Sequence, residues 1–96
     1  MNRTRYLVCY DVADPKRLRK VAKICEAFGS RIQYSVFECP LDDLRYQRFY
    51  SQMDAEVNHD EDQILFVTLG KESASATFRI EAMGLPYTER SRVTII

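Results

Sequence analysis

Tyr6-Leu7-Val8-Cys9-Tyr10 is the first unbroken apolar run in the chain, and Asp11 closes it. A short continuous run rich in β formers predicts a strand with apolar residues on both sides. The period then changes. Leu18, Val21, Ala22, Cys25 and Phe28 recur at helical spacing, and Ile24 widens their stripe. Lys16, Arg19, Lys20 and Lys23 fall on the opposite face, which predicts an amphipathic helix. Asp14 before Pro15 supplies an N-cap and a proline at the first helical position. Gly29 is expected to close the helix in the left-handed conformation. Arg31 to Cys39 reads as extended, with Ile32, Tyr34 and Val36 on one side and Gln33, Ser35 and Phe37 on the other. No Gly, Pro or Asn interrupts this stretch, so it fits one bent strand or two short ones. Pro40 is expected to stop it.

Asp42 or Asp43 can cap a second helix, with Tyr46, Phe49, Tyr50, Met53 and Val57 as its apolar stripe. His59-Asp60-Glu61-Asp62 reads as a loop. Ile64 to Leu69 is another apolar strand, ended by Gly70, and Lys71 to Ser75 reads as loop. Phe78, Ile80 and Ala82 alternate with Arg79, Glu81 and Met83, which suggests a further strand broken by Gly84 and Pro86. Arg92 to Ile96 forms a terminal strand. This order predicts a single α+β domain over residues 1–96, a ferredoxin-like sandwich with an antiparallel sheet and both helices on one face. The strands at Tyr6 and Ile64 are apolar on both sides, yet the helices cover only one face of the sheet. A second copy of the chain is the economical cover, which predicts a twofold homodimer through the open face.

Composition narrows the classes. The 96 residues are 46% hydrophobic and 29% charged, which is ordinary for a globular domain and excludes disorder and collagen-like repeats. No apolar run approaches the ~20 residues of a membrane span. The apolar stretch after Met1 is too short for a signal peptide, which places the chain in the cytoplasm. Cys9, Cys25 and Cys39 are odd in number and have no zinc-like spacing, so they read as small buried hydrophobes. The net charge of zero hides an asymmetry. Residues 1–48 hold ten Lys/Arg against six Asp/Glu, and residues 49–96 hold four against eight. The first half can attract a polyanion.

The usual catalytic kit is missing. The single histidine, His59, sits in the acidic loop, and Gly29, Gly70 and Gly84 are isolated. That argues against a Ser-His-Asp centre and against a phosphate-binding glycine loop. Asp11 remains, at the C-terminal end of a strand. Such a carboxylate is often a turn former, but Asp14 already supplies the cap. Stacked sheets could bring two copies of Asp11 together near the twofold axis. Close carboxylates repel unless a cation lies between them. Mg²⁺, or Mn²⁺ in its place, is the natural occupant, and it can activate water and polarise a phosphodiester. Arg17, Arg19 and Arg31 surround this point and suit phosphate contact, although a solvated helix face is the plain alternative for Arg19. Tyr10 and Phe37 could stack on bases, although aromatics on strands are commonly core.

Tyr10-Asp11-Val12, then Arg17-Leu18-Arg19-Lys20-Val21, then Phe28 to Cys39 with its Arg31-Ile32-Gln33-Tyr34-Ser35-Val36-Phe37-Glu38 run, together resemble the CRISPR-associated protein two family. The likeness is close over about the first 45 residues and continues beyond Leu41 only in pattern. It implies a ferredoxin-like homodimer of a prokaryotic adaptive immune system. It also implies a metal-dependent endonuclease acting on single-stranded RNA or double-stranded DNA. Asp11 would be the catalytic Mg²⁺ ligand in each subunit, and Arg17, Arg19, Arg31 and Phe37 would serve activity or nucleic-acid binding. The resemblance further implies a place at the centre of the spacer-acquisition complex, with the CRISPR integrase at both ends. The terminal strand 91–96 would cross to the partner's sheet. A non-catalytic scaffold that binds DNA and bridges the integrase is the competing expectation. An unrelated small RNA-binding module or toxin-like ribonuclease is a third.

Overall fold

The computed structural model describes residues 2–72 and 81–86. The elements run β1 (Thr4–Asp11), α1 (Pro15–Phe28), β2 (Ser30–Gln33), β3 (Val36–Leu41), α2 (Asp43–Glu56) and β4 (Gln63–Lys71). The strands form one sheet in the order β2-β3-β1-β4, and every neighbouring pair is antiparallel. This is the expected α+β sandwich. The terminal strand expected at 92–96 lies outside the described residues. So do residues 78–80 of the strand expected near Phe78, while Glu81, Ala82 and Met83 have no strand structure.

The caps explain the helix starts. The Asp14 carboxylate accepts from the Arg17 backbone N–H, and the Asp42 carboxylate accepts from that of Arg45. Each satisfies a donor that the first helical turn leaves without a partner. Val21, Cys25 and Phe28 of α1 and Phe49 and Met53 of α2 pack on Val8, Tyr10, Phe37, Cys39 and Leu41 of the sheet. Phe28 stacks on Phe49 at 4.9 Å between centroids, and Phe66 of β4 meets Phe49 edge-on at 5.6 Å. Cys25 and Cys39 are buried and form no disulfide, and burial pushes the Cys25 thiol pKa far up.

Several expectations are corrected. The stretch 31–39 is a hairpin turning at Tyr34 and Ser35, with a register shift between Arg31 and Gln33. That shift breaks the simple alternation and leaves Phe37 in the core and Tyr34 in solvent. Pro40 does not stop the strand but pairs with Arg5 inside the ladder. Pairing from β2 reaches no further than Glu38, so β3 is an edge strand at Pro40 and its missing N–H costs nothing there. Gly29 is extended, not left-handed (φ −164°, ψ −163°). Its requirement is space, because a Cβ would collide with the Cys39 Sγ and the Glu38 carbonyl oxygen. Gly70 does not end β4. It takes φ +120° next to a bulge at Leu69 of its own strand, because the consecutive Arg5 and Tyr6 pair with Gly70 and Thr68, and pairing continues to Lys71.

The other face of the sheet carries Leu7, Cys9 and Asp11 of β1, Val36 and Glu38 of β3, and Gln63, Leu65 and Val67 of β4, as the register dictates. Leu65 and Val67 are 48% and 42% exposed, and Leu69 is 40% exposed. No described helix covers this face, as the paired apolar strands led one to expect.

Candidate active site and nucleic-acid interface

Asp11 is the last residue of β1, opposite Gln63, and it is exposed. Alternation from buried Val8 and Tyr10 puts it on the open apolar face together with Cys9 and Leu7. Its carboxylate makes no hydrogen bond or ion pair with another described residue. The backbone on both sides of it is fixed. β1 pairs in register on one side. On the other, Val12 is buried and the Ala13 N–H donates to the Asp62 Oδ1 at 2.9 Å.

Asp62 organises this corner. Its side chain has no exposed surface. It accepts from the Arg17 Nε at 2.8 Å and Nη2 at 3.1 Å, and from the Asn58 N–H at 2.8 Å. Arg17 also donates to the Glu61 Oε1 at 3.0 Å. The Arg17 hydrogen bonds come first in holding the Asp62 carboxyl well below the usual carboxylate range, and Asp62 in turn raises the Arg17 pKa. The Arg17 guanidinium, expected to grip phosphate, is bound bidentately by Asp62 within the fold.

The remaining candidates divide by face. Phe37 is fully buried and Tyr10 is 5% exposed, both under α1, so neither ring is open to a base. The Tyr10 hydroxyl donates to the Tyr34 carbonyl oxygen at 3.2 Å, and burial foremost raises its pKa. Arg31 lies over the Phe37 ring at 5.0 Å and donates to the same Tyr34 carbonyl at 2.6 Å. Its Nη2 stands 3.6 Å from Glu26. Arg19 is exposed on α1 beside Lys16, Lys20 and Lys23 and makes no ion pair with another described residue. The fold thus gathers Asp11, Tyr10, Arg17, Arg31 and Phe37 at one end of the sheet, with Asp11 alone on the open face.

The family model described as "CRISPR associated protein Cas2" matches residues 4–77, a span that includes every candidate above. The chain belongs to this family. A Cas2 of Thermus thermophilus named a CRISPR-associated endoribonuclease is 38% identical over 88 residues, 91% of this chain and 94% of its own length. One of the Rhodospirillum rubrum proteins with that name is 33% identical over 91 residues, 95% of this chain and 88% of its own. The crystal structure of Streptococcus pyogenes Cas2 at pH 6.5 superposes with a TM-score of 0.71 at 35% identity, covering 83% of this chain and 99% of that one.

Within this Cas2 fold the donor set can be tested against a metal. Among the described residues no group of three or more His, Cys, Asp or Glu side chains could hold an ion. Zinc, which wants four such ligands or three and an open position, does not fit. A lone exposed carboxylate fits Mg²⁺, which keeps most of its waters. Two residues escaped the sequence reading. Asp62 looked like loop charge because its partner Arg17 lies 45 positions away. Tyr34 was assigned to a strand, and the hairpin turn instead leaves it 71% exposed.

Proposed function

We propose that this chain is one subunit of a homodimeric, Mg²⁺-dependent endonuclease of CRISPR adaptation. The observation carrying this reading is the position of Asp11, an exposed carboxylate with no partner among the described residues, at the rim of an apolar sheet face that no described helix covers. Two chains joined through that face would set their Asp11 carboxylates on either side of a shared cleft. Mg²⁺ held there would polarise a phosphodiester and lower the pKa of an attacking water. Arg19 and the lysines beside it would bind the phosphates, and the Arg17–Asp62 pair would hold the strap that carries Asp11. Substrates are single-stranded RNA, double-stranded DNA, or both, and the endoribonuclease names of the relatives support RNA.

A second reading is a non-catalytic dimer that binds DNA and joins the CRISPR integrase. It draws on the same face and on the exposed basic side of α1 at Lys16, Arg19, Lys20 and Lys23. Asp11→Ala separates the two. For the nuclease, cleavage of RNA and DNA should fall by orders of magnitude in the variant and in excess EDTA, while the fold persists. Cleavage unchanged in both would sink the nuclease. Lost cleavage with continued spacer uptake in cells would leave the scaffold as the biological role.

A further inference from the structure

We infer that the β2–β3 turn and the adjoining face of α1 form a binding site for one unpaired nucleotide, with Tyr34 as its stacking platform. This rests on the nucleic-acid reading above but not on Asp11 or a metal. A cleft of about 450 Å³ lies between α1 and the hairpin, lined by Pro15, Leu18, Arg19, Ala22, Arg31 and Tyr34, with Tyr10 at its base. That volume falls within the range of small-ligand sites. The lining combines an apolar floor from α1, two guanidinium groups and a tyrosine ring.

An exposed aromatic residue alone is unremarkable. The support beneath this one is not ordinary. The Tyr34 carbonyl accepts from both the Arg31 Nη1 and the Tyr10 hydroxyl, and the next carbonyl, that of Ser35, accepts from the Tyr10 backbone N–H at 3.0 Å. Two successive peptide groups of the turn are therefore fixed from the core. The ring projects from a rigid base while remaining 71% exposed, so little ordering is left to be done on binding. The Arg31 guanidinium carbon is 5.9 Å from the Tyr34 centroid. Arg31 is partly occupied by Glu26, which leaves Arg19 as the lining cation with no described partner. A base on Tyr34 would place its phosphate toward Arg19.

The ligand class follows from access. A base within a duplex has both faces covered by its neighbours, so a ring at a hairpin tip has nothing to stack on. An unpaired base has a free face, and stacking on aromatic rings is the common mode of single-strand recognition. The site therefore discriminates single-stranded from duplex nucleic acid, whereas phosphate contacts from α1 do not.

The chain has no tryptophan, so Tyr34→Trp introduces a sole reporter. In EDTA, single-stranded RNA should quench its fluorescence, and a duplex of equal length should not. Tyr34→Ala should weaken single-strand affinity about tenfold and leave duplex affinity unchanged, with Tyr34→Trp retaining it. Equal loss for both substrates, no loss for either, or an unquenched tryptophan would overturn the site. Wild-type protein that binds neither substrate would instead defeat the underlying nucleic-acid reading.

Discussion

Arg17 turns its guanidinium inward, onto a carboxylate with no solvent-exposed surface. Such a pair is costly to break from one side, because the remaining charge stays buried without its partner. Asp62 is held below the usual carboxylate range chiefly by Arg17, so the folded state favours its ionised form. The stabilisation is complete above the unfolded carboxylate pKa of about 3.9 and is lost as pH falls toward the depressed folded value. Arg17→Met should lower the melting temperature at pH 7 and flatten its decline between about pH 4 and 2, which thermal scans across pH would show. The Ala13 amide should also lose hydrogen-exchange protection, since its acceptor is Asp62. A phosphate-gripping Arg17 would behave differently. Its loss would reduce the salt slope of duplex binding by about 0.9, whereas the paired geometry predicts an unchanged slope.

At the scale of elements, Gly29 shows where α1 must meet β3. Its backbone approaches Cys39 and Glu38 so closely that any Cβ overlaps them. Gly29→Ala should destabilise the chain by about 1–3 kcal/mol, the usual cost of overpacking, measured by urea unfolding. Adding Cys39→Ala should relieve part of the clash but not all, because the Glu38 carbonyl is backbone. Both helices and the strands at Tyr6 and Ile64 were legible in the sequence, since Asp14, Pro15 and Asp42 are local signals and the apolar periods are unbroken. The hairpin was not, because Tyr34-Ser35 lacks the usual turn residues. The roles of Gly29 and Pro40 were also hidden, because each depends on a neighbouring strand: contact with Cys39 for one, the end of β2 pairing for the other. At the site, Asp11 could be read as a carboxylate left over after Asp14 took the cap. The Arg17–Asp62 pairing could not be read, since nothing near Arg17 in sequence announces Asp62.

For the whole molecule, the unresolved balance lies on the open sheet face. Leu65 and Val67 are exposed beside Leu7, Cys9 and Val36, an apolar surface that no described helix covers and of the kind that folded monomers rarely leave in water. The face is not uniformly apolar, because Arg5 and Glu38 sit 3.7 Å apart within it and are mostly buried. A partner stacked there would exclude water from that pair and from the strands around it, and Asp11 would lie at the edge of the contact. Val67 is on β4 opposite Leu7, away from the helices and from the Arg17–Asp62 corner. Val67→Glu should therefore leave the helical circular-dichroism signal intact and shift the mass in solution from twice 11.3 kDa to 11.3 kDa. Light scattering at micromolar concentration reads that shift. Cleavage should disappear with the dimer, because each chain brings only one Asp11 to the cleft, while single-strand binding at Tyr34 should persist. A wild-type chain that is already monomeric, or a monomeric Val67→Glu variant that cleaves normally, would remove the shared centre and move the chemistry to a single subunit.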